Sequence, residues 1–173
     1  MGGNVASMSE RSPAPGGLAL VQSLVNTLDV ETGTDSLDTA EGRARLGLTA
    51  DDLPRARELR ESLRAALLAH AGHPPHREVT PLGELLSGAP LLVTVDAEDG
   101  SAALVPAGAG PLVSRVAAAV AEALVAGTWL RLKACEAADC LWAYYDRSPA
   151  GRGRWCSMQV CGARAKMRRY RAK

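Results

Sequence analysis

Apolar residues recur along this chain first at helical and then at strand spacing. Leu20, Leu24 and Leu28 fall at i, i+4 and i+8, which predicts a helix over 18–28 closed by the polar run Asn26-Thr27-Leu28-Asp29. The stretch 31–47 is loop-rich, with a short helix expected over 41–46. Leu59, Leu63 and Leu67, widened by Ala66, form the strongest stripe, with Glu58, Arg60, Glu61 and Arg64 on other faces. Thr49 with Asp52 three residues later resembles a capping box that opens this helix, and Pro74-Pro75 should stop it around His70–Gly72. Two short apolar runs, 91–95 and 102–105, flank the turn Asp96–Ser101 and predict a β-hairpin. Pro111 suits the first position of a further helix, 112–126, with Leu112, Val116, Val120 and Leu124 in line and Gly127 at its end. Beyond it, 141–145 suits a strand and 157–170 a helix.

The pattern is that of an α+β chain: a mostly helical N-terminal domain with a small β-hairpin, then a C-terminal module. Residues 1–16, rich in Gly, Ser and Pro, read as a disordered start, 17–130 as the domain and 131–173 as the module. Aromatic content is only 3% and Phe is absent, so the core must be packed from Leu, Val and Ala. The net charge of +1 hides a split. From Arg131 onward eleven Lys and Arg stand against three acidic residues, whereas the first 130 residues carry nine against sixteen. A basic module beside an acidic body suits a polyanion partner, although the two parts could also pair within the protein. No secretory h-region is visible, and no run approaches the roughly 18 apolar residues that a membrane span needs. A cytoplasmic location with no membrane partner is the expectation, and in a reducing compartment paired cysteines point to metal more than to disulfides.

The four cysteines, Cys135, Cys140, Cys156 and Cys161, form two C-x4-C pairs with fifteen residues between them. Four thiolates can surround one structural Zn2+ tetrahedrally, at about 2.3 Å. An iron–sulfur cluster is the competing metal reading, and buried thiols or disulfides the metal-free one. A knuckle, a hairpin and a helix with Cys161 near its first turn describe a treble-clef-like zinc finger. Some forty residues bury little core, so the metal should supply folding free energy on the order of 10 kcal/mol.

The residues around these cysteines resemble a known family. Arg154-Trp155-Cys156-Ser157-Met158, then Cys161-Gly162-Ala163-Arg164, is similar to the Trp-Cys-Ser-Met and Cys-Gly-Asn-Arg runs of the CGNR zinc finger. Cys135, Cys140 and Asp146-Arg147-Ser148 stand where that family has its first pair and its D-R-S segment. Leu24-Val25-Asn26-Thr27-Leu28-Asp29 and Leu59-Arg60-Glu61-Ser62-Leu63-Arg64 resemble the ABATE domain that usually precedes this finger. The resemblance covers roughly 17–172 and implies a bacterial, stress-linked transcription regulator with the finger as its DNA-binding part. One departure is Ala163, where the family has Asn. The thiolates remain, so metal binding should survive, but any role of that amide is lost.

In the last helix Arg164, Arg168 and Arg171 share one face and Lys166, Arg169 and Lys173 another. Arg can fork onto phosphate or guanine and Lys acts as a point charge, so these six are the candidate nucleic-acid contacts, for DNA above all. The competing readings are a solvated basic tail, pairing with the acidic domain, and a zinc-stapled protein–protein module without direct DNA binding. Trp142, Tyr144, Tyr145, Trp155 and Tyr170 are expected to form the finger's small core. Asn26, Thr27 and Asp29, with Arg60 and Arg64, are candidates to line a small-molecule effector site, against a plain capping and loop role. No G-x-S-x-G, P-loop or G-x-G-x-x-G is present, and four thiolates leave zinc no open position, so no enzymatic activity is expected. His70, His73 and His76 read as a solvated loop rather than a metal site. A homodimer is compatible with a regulator, though no heptad or long apolar strip demands one.

Overall fold

A computed structural model describes residues 12–107 and 110–172 of the 173-residue chain. Three helices build the body. Helix α1 (Leu18–Val25) buries Leu18, Val21, Leu24 and Val25, and a short α2 (Ala40–Ala44) follows it. The central α3 (Leu53–His70) buries Leu59, Leu63 and Leu67 as the stripe predicts, with Ala56 and Leu68 beside them. After a short α4 (Leu82–Leu86) and the hairpin β1 (Leu91–Val95) and β2 (Ala102–Pro106) comes α5 (Leu112–Val125), which packs on α1 and α3. Small residues let α1 and α5 approach closely: a Cβ on Gly17 would lie 2.8 Å from that of Ala119.

The differences from the sequence pattern have local causes. Helix α1 ends at Val25, not Leu28, because Asn26 turns its side chain away to another strand and Thr27 folds its hydroxyl back onto the Leu24 carbonyl, 2.8 Å away. Its buried stripe is accordingly Leu18, Val21, Leu24 and Val25, and Leu20 and Leu28 are only half-buried. The short helix begins one residue early, where Thr39 accepts the Gly42 N–H at 3.0 Å as its N-cap. Only half of the Thr49–Asp52 box exists: Asp52 accepts from the Thr49 N–H and hydroxyl, both at 2.8 Å, and α3 starts after it with Pro54 in its first turn. Leu124 is 59% exposed, so the apolar stripe of α5 stops a turn early. Residues 1–11 lie outside the described residues. Residues 12–16 correct the expectation of disorder, since Ala14 is buried and its N–H donates to the Gln22 side chain at 2.7 Å. Among the described residues no helix is long and apolar enough to cross a membrane.

The chain then forms a second antiparallel pair, β3 (Leu132–Ala134) and β4 (Ala143–Tyr145), and ends in α6 (Ala163–Arg171). Leu132, Ala134, Leu141 and Ala143 belong to the same apolar core as α1, α3 and α5. The cysteines form a separate small cluster with Ala137, Trp155 and Val160. The C-terminal module therefore borrows its hydrophobic support from the helical body, which forty residues with four cysteines could not supply alone.

Candidate metal centre and basic helix

Strand β3 delivers Cys135 and a tight turn returns Cys140 to it. The N–H groups of Cys140 and Leu141 both donate to the Ala137 carbonyl, at 2.8 and 3.0 Å, and the Cys135 N–H donates to the Trp142 carbonyl at 2.9 Å. Leu141 takes a left-handed φ of 52°, a strained position for a residue with a Cβ. Its side chain is buried in the main core, which offsets the strain and explains why glycine does not stand there. Cys161 lies in a wide π-type turn over Met158–Gly162, capped where Ser157 accepts the Val160 N–H, and Cys156 stands just before that cap. A Cβ on Gly162 would sit 3.1 Å from the Met158 sulfur and 3.3 Å from the Trp155 ring, so glycine lets the turn close.

The four Sγ atoms lie within 4.8 Å of one another, with Cys156 at 3.6 Å from both Cys140 and Cys161. A zinc tetrahedron with bonds of about 2.3 Å has sulfur–sulfur edges of about 3.8 Å, whereas a disulfide needs about 2.05 Å. No disulfide joins the four thiols, and the spacing fits a metal. The electrostatics agree. Hydrogen bonds from the Cys140 and Cys156 thiols hold Cys135 as a thiolate, down to about 2. The same bond to Cys135 pushes Cys140 up to about 12, and Cys156 and Cys161 also rise. Negative charges this close disfavour one another, and a divalent cation would offset that repulsion.

Asp146, in the D-R-S segment, fixes the loop between β4 and the second cysteine pair. Its carboxylate accepts from Lys133 Nζ at 3.0 Å, the Gly153 N–H at 2.7 Å and the N–H and hydroxyl of Ser148. Burial alone would raise the Asp146 carboxyl, but these bonds bring it down to about 2. A Cβ on Gly153 would lie 3.0 Å from that carboxylate, so only glycine admits the contact. Arg154 pairs with Glu136 and lies over the Trp155 ring. Tyr144 is buried with its hydroxyl on the Gly153 carbonyl, whereas Tyr170 is 77% exposed and no part of the finger's core.

The basic residues of α6 divide into two sets. Arg164 pairs with Glu31 of the helical body at 3.1 Å, and Arg168 with Asp139 at 3.5 Å. Lys166, Arg169 and Arg171 are exposed, and no acidic group of the described residues pairs with them. Lys173 lies outside the described residues. Arg152, on the Asp146 loop, is a further exposed cation, with no acidic partner among the described residues, that the helical pattern could not flag.

The five residues considered for an effector do not converge on one open pocket. Asn26 clamps the finger: its amide accepts the Ala143 N–H at 2.7 Å and donates to the Ala143 carbonyl at 2.9 Å, adding a rung to β4. Asp29 caps the turn at Glu31 and Thr32. Thr27, Arg60 and Arg64 do meet, but in a buried network with Asp35, Glu61 and His76. Asn26 and Thr27 also border an open cleft of about 430 Å³ with Ser23 and Arg45. The histidines are not a solvated loop either. His70 donates Nδ1–H to the Leu132 carbonyl at 2.7 Å, His73 lies 3.5 Å from Glu136 and His76 bonds Glu61, so each serves a different partner. Asn26→Ala should lower stability by about 2 kcal/mol, because two hydrogen bonds vanish and the Ala143 N–H loses its partner, while the Ala143 carbonyl keeps only the Gln22 amide at 3.3 Å. Urea unfolding of the zinc-loaded protein measures this, and an unchanged midpoint would show that the clamp contributes nothing.

Fold and site together define a four-thiolate metal-binding module docked on a mostly helical body. Residues 131–173 match the CGNR zinc finger, and residues 18–127 match the ABATE family, described as "putative stress-induced transcription regulator". The second match spans well over half of the chain, and the chain belongs to the ABATE family. Both are binding or regulatory families rather than enzymes. No curated protein matches the chain.

Proposed function

We propose that this protein is a zinc-dependent, DNA-binding transcription regulator, with α6 as the contact element on a treble-clef-like finger. The observation that carries the reading is the helix launched by the fourth thiolate, on which Lys166, Arg169 and Arg171 stand exposed, with no acidic partner among the described residues. Arg152, on the loop before the second cysteine pair, is a further exposed cation. Each phosphate contact releases condensed counterions, so affinity should fall steeply with salt. Fluorescence anisotropy of the zinc-loaded chain with short mixed-sequence duplexes tests this. Arg169→Gln should weaken binding across sequences and lower the salt slope by about 1. No salt-sensitive binding at low ionic strength sinks the reading.

A protein-interaction role is the second reading, and the exposed Met158, Met167 and Tyr170 on and beside α6 favour it. It predicts capture of a protein partner with no DNA shift. A ligand or stress signal would reach α6 through the helical body, which holds Arg164 through Glu31. A small-molecule effector would find room in the cleft beside Ser23, Asn26, Thr27 and Arg45. The guanidinium groups of Arg60 and Arg64 are already engaged by internal partners.

A further inference from the structure

Among the described residues the hairpin β1–β2 is a sheet of two strands only; α5 packs mainly against β2, and the far edge of β1 has no strand beside it. The cross-strand bonds Asp96 N–H to Ser101 O and Ala107 N–H to Pro90 O fix the phase of the ladder. With Leu92 opposite Val105 and Thr94 opposite Ala103, the even-numbered residues of β1 exchange bonds with β2. The N–H and C=O groups of Leu91, Val93 and Val95 therefore point outward, and among the described residues no strand pairs with β1 on that side. Leu92, Val93 and Val95 are 54%, 68% and 65% exposed. Edge strands are ordinarily protected by charge, proline or a bulge. None of these interrupts Leu91-Leu92-Val93-Thr94-Val95, and no charged residue occurs from Leu85 to Val95.

We infer that β1 is a dimerisation edge, through which two copies of this chain pair antiparallel about a twofold axis at Val93. The outward residues are symmetric about that position. Val93 then faces Val93 of the second copy and Leu91 faces its Val95, so every outward N–H and C=O of the strand finds a partner. Charge selects this direction. The hairpin turn carries Asp96, Glu98 and Asp99, all exposed. Parallel pairing would set the two acidic turns side by side, whereas the antiparallel register places Asp96 beside the uncharged Pro90 of the other copy. The same carboxylates disfavour nucleic acid or an acidic protein at this edge. A partner must present an uncharged strand with outward groups at alternate positions, and the second copy supplies one. Five residues of edge bury less than the roughly 1,200 Å² of a stable interface, so the dimer is weak and its population follows concentration.

Sedimentation velocity of the zinc-loaded full chain over an about hundred-fold range of concentration should show a shift from monomer to dimer. Over the same range, amide hydrogen exchange should slow at Leu91, Val93 and Val95. It should stay unchanged at Leu92 and Thr94, which β2 already protects. Val93→Pro removes only an outward N–H and keeps the β1–β2 ladder, and Val93→Lys places two like charges on the axis. Both variants should stay monomeric at every concentration with their zinc content intact. Val93→Lys carries the test should the proline variant fold poorly. A wild-type chain that stays monomeric assigns the edge to some other partner and overturns the inference. Variants that dimerise as well as the wild type overturn it too, since another surface then holds the dimer.

Discussion

Chelating the metal, or replacing Cys156 by Ala, should unfold the C-terminal module and weaken the helical body with it. Cys156 is the ligand to remove because its sulfur stands 3.6 Å from both Cys140 and Cys161. Structural zinc contributes on the order of 10 kcal/mol of apparent binding free energy, comparable to the whole stability of a small domain at about 5–15 kcal/mol. Without the ion, thiolates this close repel one another, and the knuckle and the π-type turn lose what holds them together. The damage should not stop there. Leu132, Ala134 and Ala143 lie in the main core, and α3 packs directly on β3. The Cys156→Ala protein should lose its equivalent of zinc, and its amide spectrum should collapse over 135–172. Its thermal transition should also fall when followed at buried residues of α3. A chelated protein that keeps native chemical shifts over 135–172 would overturn the assignment of the metal as a structural staple. A shift of the spectrum confined to 135–172, with α3 unchanged, would instead refute the shared core. Because the ligands must shed protons to bind, zinc affinity should also decline as the pH falls.

Local chemistry was readable from the chain, and long-range pairing was not. The four cysteines announce the metal centre because tetrahedral ligation needs two short loops with two sulfurs each, and C-x4-C provides them. The hairpin is visible because alternation and a Gly-containing turn are both local. The stripe on α3 is visible for the same reason. Asn26 is different: its partner Ala143 is 117 residues away, and nothing near Asn26 distinguishes a strand clamp from a helix cap or a ligand contact. The same holds for His70, whose acceptor lies across the core at Leu132. Helix α4 escaped notice because five residues after a proline give no periodicity to read. Arg60 and Arg64 misled for a physical reason. Arginines on a predicted helix are normally solvent-facing or functional, and only the fold shows that Asp35, Glu61 and two backbone carbonyls have gathered around them.

Glu61→Gln should be the most damaging single substitution in the helical body. The Glu61 carboxylate accepts from Arg60 Nε at 2.7 Å, Arg64 at 2.6 Å and His76 Nε2 at 2.9 Å, and all four side chains are largely buried. An amide keeps the shape but loses the charge, leaving two neighbouring guanidinium groups with Asp35 as their one close counter-ion. The amide's single oxygen can accept from only one of the two; where it serves Arg60, Arg64, 1% exposed, keeps only the Val25 and Leu28 carbonyls, and among the described residues its Nε has no partner. Breaking a buried pair on one side typically costs about 3–5 kcal/mol, because the surviving charge stays out of water. Arg64→Met should cost less: it removes one cation from the site and leaves Glu61 with Arg60 and His76. Acid should act as the mutation does. Burial would raise the Glu61 carboxyl, but the Arg64 charge and the bond from Arg60 outweigh it and hold it below its ordinary value. Asp35 is lowered likewise, burial being overcome by its bond from Arg60. A carboxylate lowered on folding adds stability above its unfolded value, and loses it as the pH drops through the folded one. Burial also lowers His76, against the pull of Glu61, so above its titration the ring stays neutral and adds no charge to replace a missing one. Urea midpoints measured from neutral to acid pH should therefore fall for the wild type and fall less for Glu61→Gln, in which Asp35 and Asp146 still titrate. Parallel curves for the two proteins would mean that Glu61 ionisation contributes nothing to the pH dependence of the fold.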